Sequence, residues 1–252
     1  MCFHTSQIQT VKKLEKRYNA DLSDESQREL FDIPRYHING FSHSQLLIIP
    51  QEKPSVLAAA TWGIAPEHKT VSELKAYYKE AVKFGGGLNA RAEKAFSHFI
   101  YKQSILGKRC LIPVTAFFEP HEFKGKKYPF VIKRKTPTAT TATTTATNLS
   151  LAGFYTRIQN VVTFTILTQD ASPLFVKIHN KKKRQPVILS DQQEKQWLSN
   201  ELQQSEIEAI LKNHFDEDQL EYYPVSKDLF HPKVNSDVET ILERKTYPNL
   251  SF

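Results

Sequence analysis

Between residues 110 and 168, four strand-like runs follow one another with no helical pattern between them. Residues 110–118 are mostly apolar, with Val and Phe, and are expected as a buried strand. Residues 128–132 and 151–158 are also expected as strands, and the β-branched stretch 161–168 as a core strand. Further strands are expected at 46–49, stopping at Pro50, at 56–62 and at 186–189. Helical spacing marks 11–18, 70–84 (ended by Gly85-Gly86-Gly87), 95–106 (closed by Gly107), 190–199 and 205–212, with a helical turn at 172–176. Strands and helices do not alternate in βαβ order, so an α+β fold is expected rather than a doubly wound sheet.

With 252 residues and 40% hydrophobic content, the chain can bury a real core, and one domain across 1–252 is expected. Residues 136–148 stand apart. They are almost wholly Thr and Ala with one Pro, bury little apolar surface, and are expected as a disordered insertion between two strands. No run approaches the roughly eighteen apolar residues of a membrane span, and no secretory signal is visible. Cys2 and Cys110 are too few for a disulfide framework, so a reducing cytoplasm is expected. With scattered histidines they fit no zinc spacing, and neither metal nor cofactor is expected. The net charge is +7, and basic residues cluster at 124–135 and 177–184, whereas 191–221 is mostly acidic and polar. That asymmetry suits one face for a polyanion such as nucleic acid, although charge runs are usually solvated surface.

Cys2 follows the initiator Met. Removal of Met1 would leave an α-amine and a thiol on adjacent carbons, a 1,2-aminothiol. The amine condenses with an aldehyde and the thiol closes a thiazolidine ring. An α-amine titrates at about 7.7–8.0 and a thiol at about 8.5, so both are partly reactive near neutrality. By position alone, a Cys there is also common by chance.

Other segments accompany it in order: Trp62-Gly63-Ile64-Ala65-Pro66, Asn89-Ala90-Arg91-Ala92-Glu93, Arg109-Cys110-Leu111-Ile112-Pro113 with Phe117-Phe118-Glu119, Ile178-His179 with Pro186-Val187, and Pro224-Val225-Ser226 with Val234-Asn235. Each is weak alone. The ordered set, spanning nearly the whole chain, resembles the SOS response-associated peptidase (SRAP) family of abasic-site processing proteins.

The resemblance implies a single α+β domain around a curved, barrel-like mixed β core flanked by helices. It implies a monomer that binds single-stranded DNA at abasic sites, with Cys2 forming a thiazolidine with the ring-opened sugar aldehyde. It also implies an autopeptidase removing Met1. Asn89 matches a family active-site Asn that holds the N-terminal Cys; a helix N-cap is the alternative. Glu119 matches the catalytic Glu. A carboxylate at the end of an apolar strand should have a raised pKa and suits proton transfer; a surface salt bridge is the alternative. His179 matches the family His, which near neutrality can both donate and accept a proton. Trp62 resembles an aromatic that stacks on an exposed base, worth about 1–3 kcal/mol, or else a half-buried core Trp. Arg91 matches a phosphate-gripping arginine, or pairs with Glu93. Lys102 stands where a family arginine is expected, and Arg184 with the preceding lysines would extend the phosphate track.

The chain departs from the family pattern at Phe3-His4, where Gly-Arg is usual, and at Gln185, where Met is usual. A different class of function stays open: a thiol peptidase acting on other proteins, with Cys2 as acyl-transfer nucleophile. A non-catalytic nucleic-acid-binding module is a third.

Overall fold

A computed structural model describes residues 2–136, 148–248 and 250. All but two residues of the Thr/Ala-rich segment, Thr136 and Asn148, lie outside the described residues. The strands are β1 (His4–Gln7), β2 (Asp21–Leu22), β3 (Arg35–Asn39), β4 (Gln45–Pro50), β5 (Val56–Trp62), β6 (Asn89–Arg91), β7 (Arg109–Val114), β8 (Ala116–Phe123), β9 (Lys126–Arg134), β10 (Leu149–Ile158), β11 (Val161–Asp170), β12 (Arg184–Pro186), β13 (Ile188–Leu189) and β14 (Leu220–Pro224). The helices are α1 (Val11–Tyr18), α2 (Arg28–Asp32), α3 (Leu74–Ala81), α4 (Tyr101–Gly107), α5 (Pro173–Ile178), α6 (Asp191–Trp197) and α7 (Gln204–Lys212).

Five strands close into a barrel. β5, β4, β7, β10 and β11 pair antiparallel in that order, and a short parallel pairing of β11 with β5 shuts the ring. A second sheet, ordered β14-β9-β8-β1-β3, stands beside it. The fold is a mixed α+β single domain, as the order of elements implied.

Both faces of the barrel wall are covered. Leu46 and Ile48 of β4 pack in one core with Trp62, Leu88 and Phe164, while Leu47 and Ile49 pack in another with Leu14, Phe154 and Trp197. Alternate side chains point to opposite faces, so a strand buried on both sides reads as an unbroken apolar run. This explains a correction at 110–118, expected as one strand. It is two, β7 in the barrel and β8 in the second sheet, hinged at Thr115. The Thr115 amide donates to the Ser6 carbonyl at 2.8 Å, and its hydroxyl accepts from the Ile8 amide at 3.1 Å. A strand that changes sheets while staying buried leaves no break in the hydrophobic pattern.

The helix expected at 95–106 is also shorter. Only α4 is helical, and a 3-10 turn covers Ala92–Lys94. The His98 ring takes the Ile100 amide (3.3 Å) and stacks on Tyr101 with ring centroids 4.0 Å apart, diverting the backbone from helical bonding. The Arg109 side chain is buried and structural. It donates to the Ile105 and Leu106 carbonyls at 2.9 and 2.7 Å, capping α4, and to the Trp197 carbonyl at 2.8 Å.

Candidate active site

Three parts of the fold converge on Cys2. The first is the second sheet. β1 pairs with β8 so that His4 lies opposite Phe118. Cys2, two residues before His4, and Glu119, one residue after Phe118, therefore come to the same end of the sheet. Both are fully buried.

The second part is the glycine turn before β6. Gly87 has φ +68°, and a Cβ there would lie 2.5 Å from the Ile64 carbonyl oxygen, so only glycine fits. The turn delivers Leu88, whose carbonyl accepts from Trp62 Nε1 at 2.9 Å and the Ile166 amide at 3.1 Å. Asn89 then starts β6, parallel to β11 opposite Ile166. It is a strand residue and caps no helix. Its side-chain Nδ2 donates to the Cys2 carbonyl at 2.9 Å, which fixes the amide orientation. Its Oδ1 is then a buried acceptor with no hydrogen-bond partner among the described residues.

The third part is α5, whose C-cap is His179. The Nδ1–H of His179 donates to the Arg184 carbonyl at 2.9 Å and lies 3.1 Å from Glu119 Oε2. The Arg184 carbonyl can only accept, so the proton sits on Nδ1 and Nε2 is the basic nitrogen.

Burial dominates the electrostatics. It pushes the Glu119 carboxyl up to about 7 and His179 down to about 4. At neutral pH the histidine is uncharged, and the carboxyl is far more readily protonated than an ordinary glutamate. The titration near neutrality expected for His179 thus belongs to Glu119 instead. Burial, reinforced by Glu119, also raises the Cys2 thiol well above its ordinary value. Its Sγ–H points to the His4 carbonyl at 3.7 Å.

A sequence profile described as SOS response associated peptidase (SRAP) matches residues 1–232. The chain belongs to the SRAP family. It is 30% identical over 210 residues to the abasic site processing protein YoqW of Bacillus subtilis, covering 81% of this chain and 84% of that one. The B. subtilis abasic site processing protein YoaM is 29% identical over 209 residues, covering 81% and 82%. A crystal structure of a protein from Bacteroides thetaiotaomicron superposes with a TM-score of 0.81 at 28% identity, covering 97% of this chain and all of that one.

Within this SRAP domain, the four motif residues Cys2, Asn89, Glu119 and His179 come together. The residues expected along a DNA track do not behave alike. Trp62 is 0% exposed, bonded to Leu88 and stacked near Phe164. It offers no face to a base, because β5 ends inside the core. Arg184 is also buried. Its guanidinium donates to the Thr168 carbonyl and Asp170 Oδ1, each at 2.7 Å, and to Glu93 Oε2 at 3.0 Å. It is a strut from β12 to β11 and the 3-10 turn Ala92–Lys94, so the phosphate contact expected of it is corrected. Glu93 pairs with Arg184 rather than with Arg91. Arg91 and Lys102 are exposed.

The sequence did not single out His4, His37 and the segment after Leu229 as one group. A cleft of about 880 Å³ lies beside the segment that follows Cys2, lined by Phe3, His4, His37, His179, Phe230 and Ser236 among others. His4 Nδ1 and His37 Nε2 are 2.8 Å apart, and His37 Nδ1 meets the Ser236 hydroxyl at 2.6 Å. Asp237 anchors this wall through the Tyr36 and His37 amides at 2.7 and 3.0 Å. Burial lowers His4 to about 3 and His37 to about 4, so the pair is neutral at physiological pH. Among the described residues, no helix is long and apolar enough to cross a membrane, and no cluster of three His, Cys, Asp or Glu could hold a metal.

Proposed function

We propose that this protein processes abasic sites in single-stranded DNA by trapping the sugar aldehyde on Cys2, after removal of Met1, as a thiazolidine cross-link. The observation that carries this is the convergence of Asn89, Glu119 and His179 on a cysteine one residue from the initiator methionine.

The chemistry balances with these groups alone. Glu119 in its acid form protonates the sugar ring oxygen as the ring opens to the aldehyde. The Cys2 α-amine attacks that aldehyde, and the carbinolamine oxygen leaves as water, taking up the proton that the C1′ hydroxyl released on ring opening, to give an iminium. The thiol adds to the iminium carbon, gives its proton to the Glu119 carboxylate, and closes the ring. The net change is loss of one water. A carboxyl that titrates at about 7 can both give and take a proton at neutral pH. Asn89 Nδ2 holds the Cys2 backbone, and its Oδ1, without a partner among the described residues, would accept from the freed α-amine. Neutral His179, with its Nδ1–H on the Arg184 carbonyl, packs 3.1 Å from Glu119 Oε2 without placing a charge beside it.

The competing thiol peptidase needs a stabilised thiolate, usually beside an imidazolium or a helix N-terminus. Here burial and Glu119 act the other way and raise the thiol. The test is incubation with single-stranded DNA carrying one abasic site, followed by a denaturing gel. Wild type should give a denaturation-resistant band and Cys2→Ala none. Two non-removable residues placed before Cys2 should abolish the band, because they occupy the amine. A band that survives either change contradicts the proposal.

A further inference from the structure

Where the family pattern has an arginine, this chain has His4, and an irregularity in β3 sets a second histidine against it. β1 and β3 pair His4 with Asn39 and Thr5 with Ile38, but Gln7 with Arg35. Ser6 alone therefore faces both Tyr36 and His37. This is a β-bulge, which bends its strand and re-aims a side chain. The bulge takes the Tyr36 and His37 amides out of the ladder, and Asp237 Oδ1 accepts from both, at 2.7 and 3.0 Å. Its Oδ2 accepts from Arg35 Nε at 2.6 Å, and the Ser6 hydroxyl donates to the Arg35 carbonyl at 3.2 Å.

The clamped bulge fixes the His37 ring, which is 7% exposed and bonded at both nitrogens. Nε2 lies 2.8 Å from His4 Nδ1, and Nδ1 lies 2.6 Å from the Ser236 hydroxyl oxygen. Phe118 meets the His37 ring edge-on with centroids 5.9 Å apart, and Phe230 lies 5.2 Å from the His4 ring. His4 cannot turn away without leaving a buried nitrogen of His37 unpaired, which is costly.

Cys2 leans on this same residue, since its Sγ–H points to the His4 carbonyl at 3.7 Å. The Gly40 amide, just beyond β3, donates to the Phe3 carbonyl at 2.8 Å. The segment Cys2–His4 is thus gripped at both ends, by Asn89 on the Cys2 carbonyl and by His37 on the His4 ring. β1 has only four residues and a short ladder of its own. Small shifts there matter, because a misplacement of about 1 Å at reacting groups can cost on the order of 100-fold in rate.

We infer that His37 is a positioning residue for Cys2, acting through the His4 ring. This rests on the functional reading above. The two nitrogens of His37 can be tested one at a time. A glutamine amide reaches as far as Nε2, and an asparagine amide only as far as Nδ1. His37→Gln therefore keeps the link to His4 and loses Ser236, and His37→Asn does the reverse. Adduct formation is followed on denaturing gels over a range of concentrations of single-stranded abasic DNA. The maximal rate should fall about 10-fold in His37→Asn and stay within about twofold of wild type in His37→Gln, with the half-saturating DNA concentration unchanged in both. A second readout needs no DNA. Cys2 is fully buried, so loosening its segment exposes the thiol. Alkylation of Cys2 by iodoacetamide, separated from Cys110 by peptide mapping, should be several-fold faster in His37→Asn than in wild type or His37→Gln. Equal behaviour of the two variants in both readouts, or a raised half-saturating concentration at an unchanged maximal rate, overturns the inference. A wild type that forms no adduct indicts the functional reading, and the order of alkylation then decides by itself whether His37 places Cys2.

Discussion

The side-chain amide of Asn89 donates to the backbone carbonyl of Cys2 at 2.9 Å, across 87 residues of sequence. It ties the barrel to the first strand of the second sheet at the residue whose amine and thiol must both meet an aldehyde. Asn89→Ala removes one partly buried hydrogen bond, worth about 1 kcal/mol. Adduct formation should slow at least five- to tenfold while affinity for a baseless, aldehyde-free oligonucleotide stays the same. Initial rates on denaturing gels and anisotropy separate the two effects.

Glu119 should couple stability to pH. Its folded pKa of about 7 lies above that of an unfolded glutamate, so its acid form favours the fold. That contribution is complete below about pH 4.5 and is lost as pH rises through 7. Glu119→Gln cannot titrate. Relative to wild type, its unfolding free energy in urea should therefore improve by about 3 kcal/mol between pH 4 and pH 8. A difference that does not change with pH would show that Glu119 titrates at the same pH folded and unfolded, so that burial does not raise it.

His4, His37 and His179 act in the opposite direction. Burial depresses all three to about 3 or 4, so each contributes stability above the unfolded value near 6.5 that is lost as pH falls through the folded value. Between pH 4.5 and 6.5 three groups gain protons on unfolding and Glu119 loses one. These four groups alone predict net uptake of up to about two protons, a slope approaching about 2.7 kcal/mol per pH unit. Urea unfolding at successive pH values measures it, and His37→Phe should lower the slope.

Arg91 and Arg184 should part company. Arg91 is exposed, and Arg91→Ala should reduce the salt dependence of DNA binding by about one unit of log–log slope. Arg184→Ala leaves Asp170 and Glu93 without their cation and the Thr168 carbonyl without its donor. Asp170 and Glu93 are both exposed enough to be re-solvated, so the loss should be about 1–2 kcal/mol in stability, mainly from the Thr168 carbonyl and lost packing, with the salt slope intact.

These contrasts mark how far the sequence could be read. The barrel strands were legible because β5, β10 and β11 are long, apolar and β-branched or aromatic. The short strand His4–Gln7 was not, since its place comes from pairing with β3 and β8 rather than from its own pattern. The four motif residues were legible as an ordered set, but not the register that sets Cys2 beside Glu119. Trp62 could not be told from an exposed stacking residue, because burial of its strand depends on what covers both faces. Arg184 follows three lysines and resembled part of a solvated run. Only the meeting of β11, β12 and the 3-10 turn Ala92–Lys94 reveals the carboxylates it braces.

The central claim is tested most directly by intact-mass analysis of purified protein before and after exposure to single-stranded DNA with one abasic site. The account predicts a chain lacking Met1, then a denaturation-resistant species at the summed mass of protein and DNA less one water, absent with Cys2→Ala. Processed protein that gains no mass, or a Cys2→Ala variant that forms the same species, would contradict it.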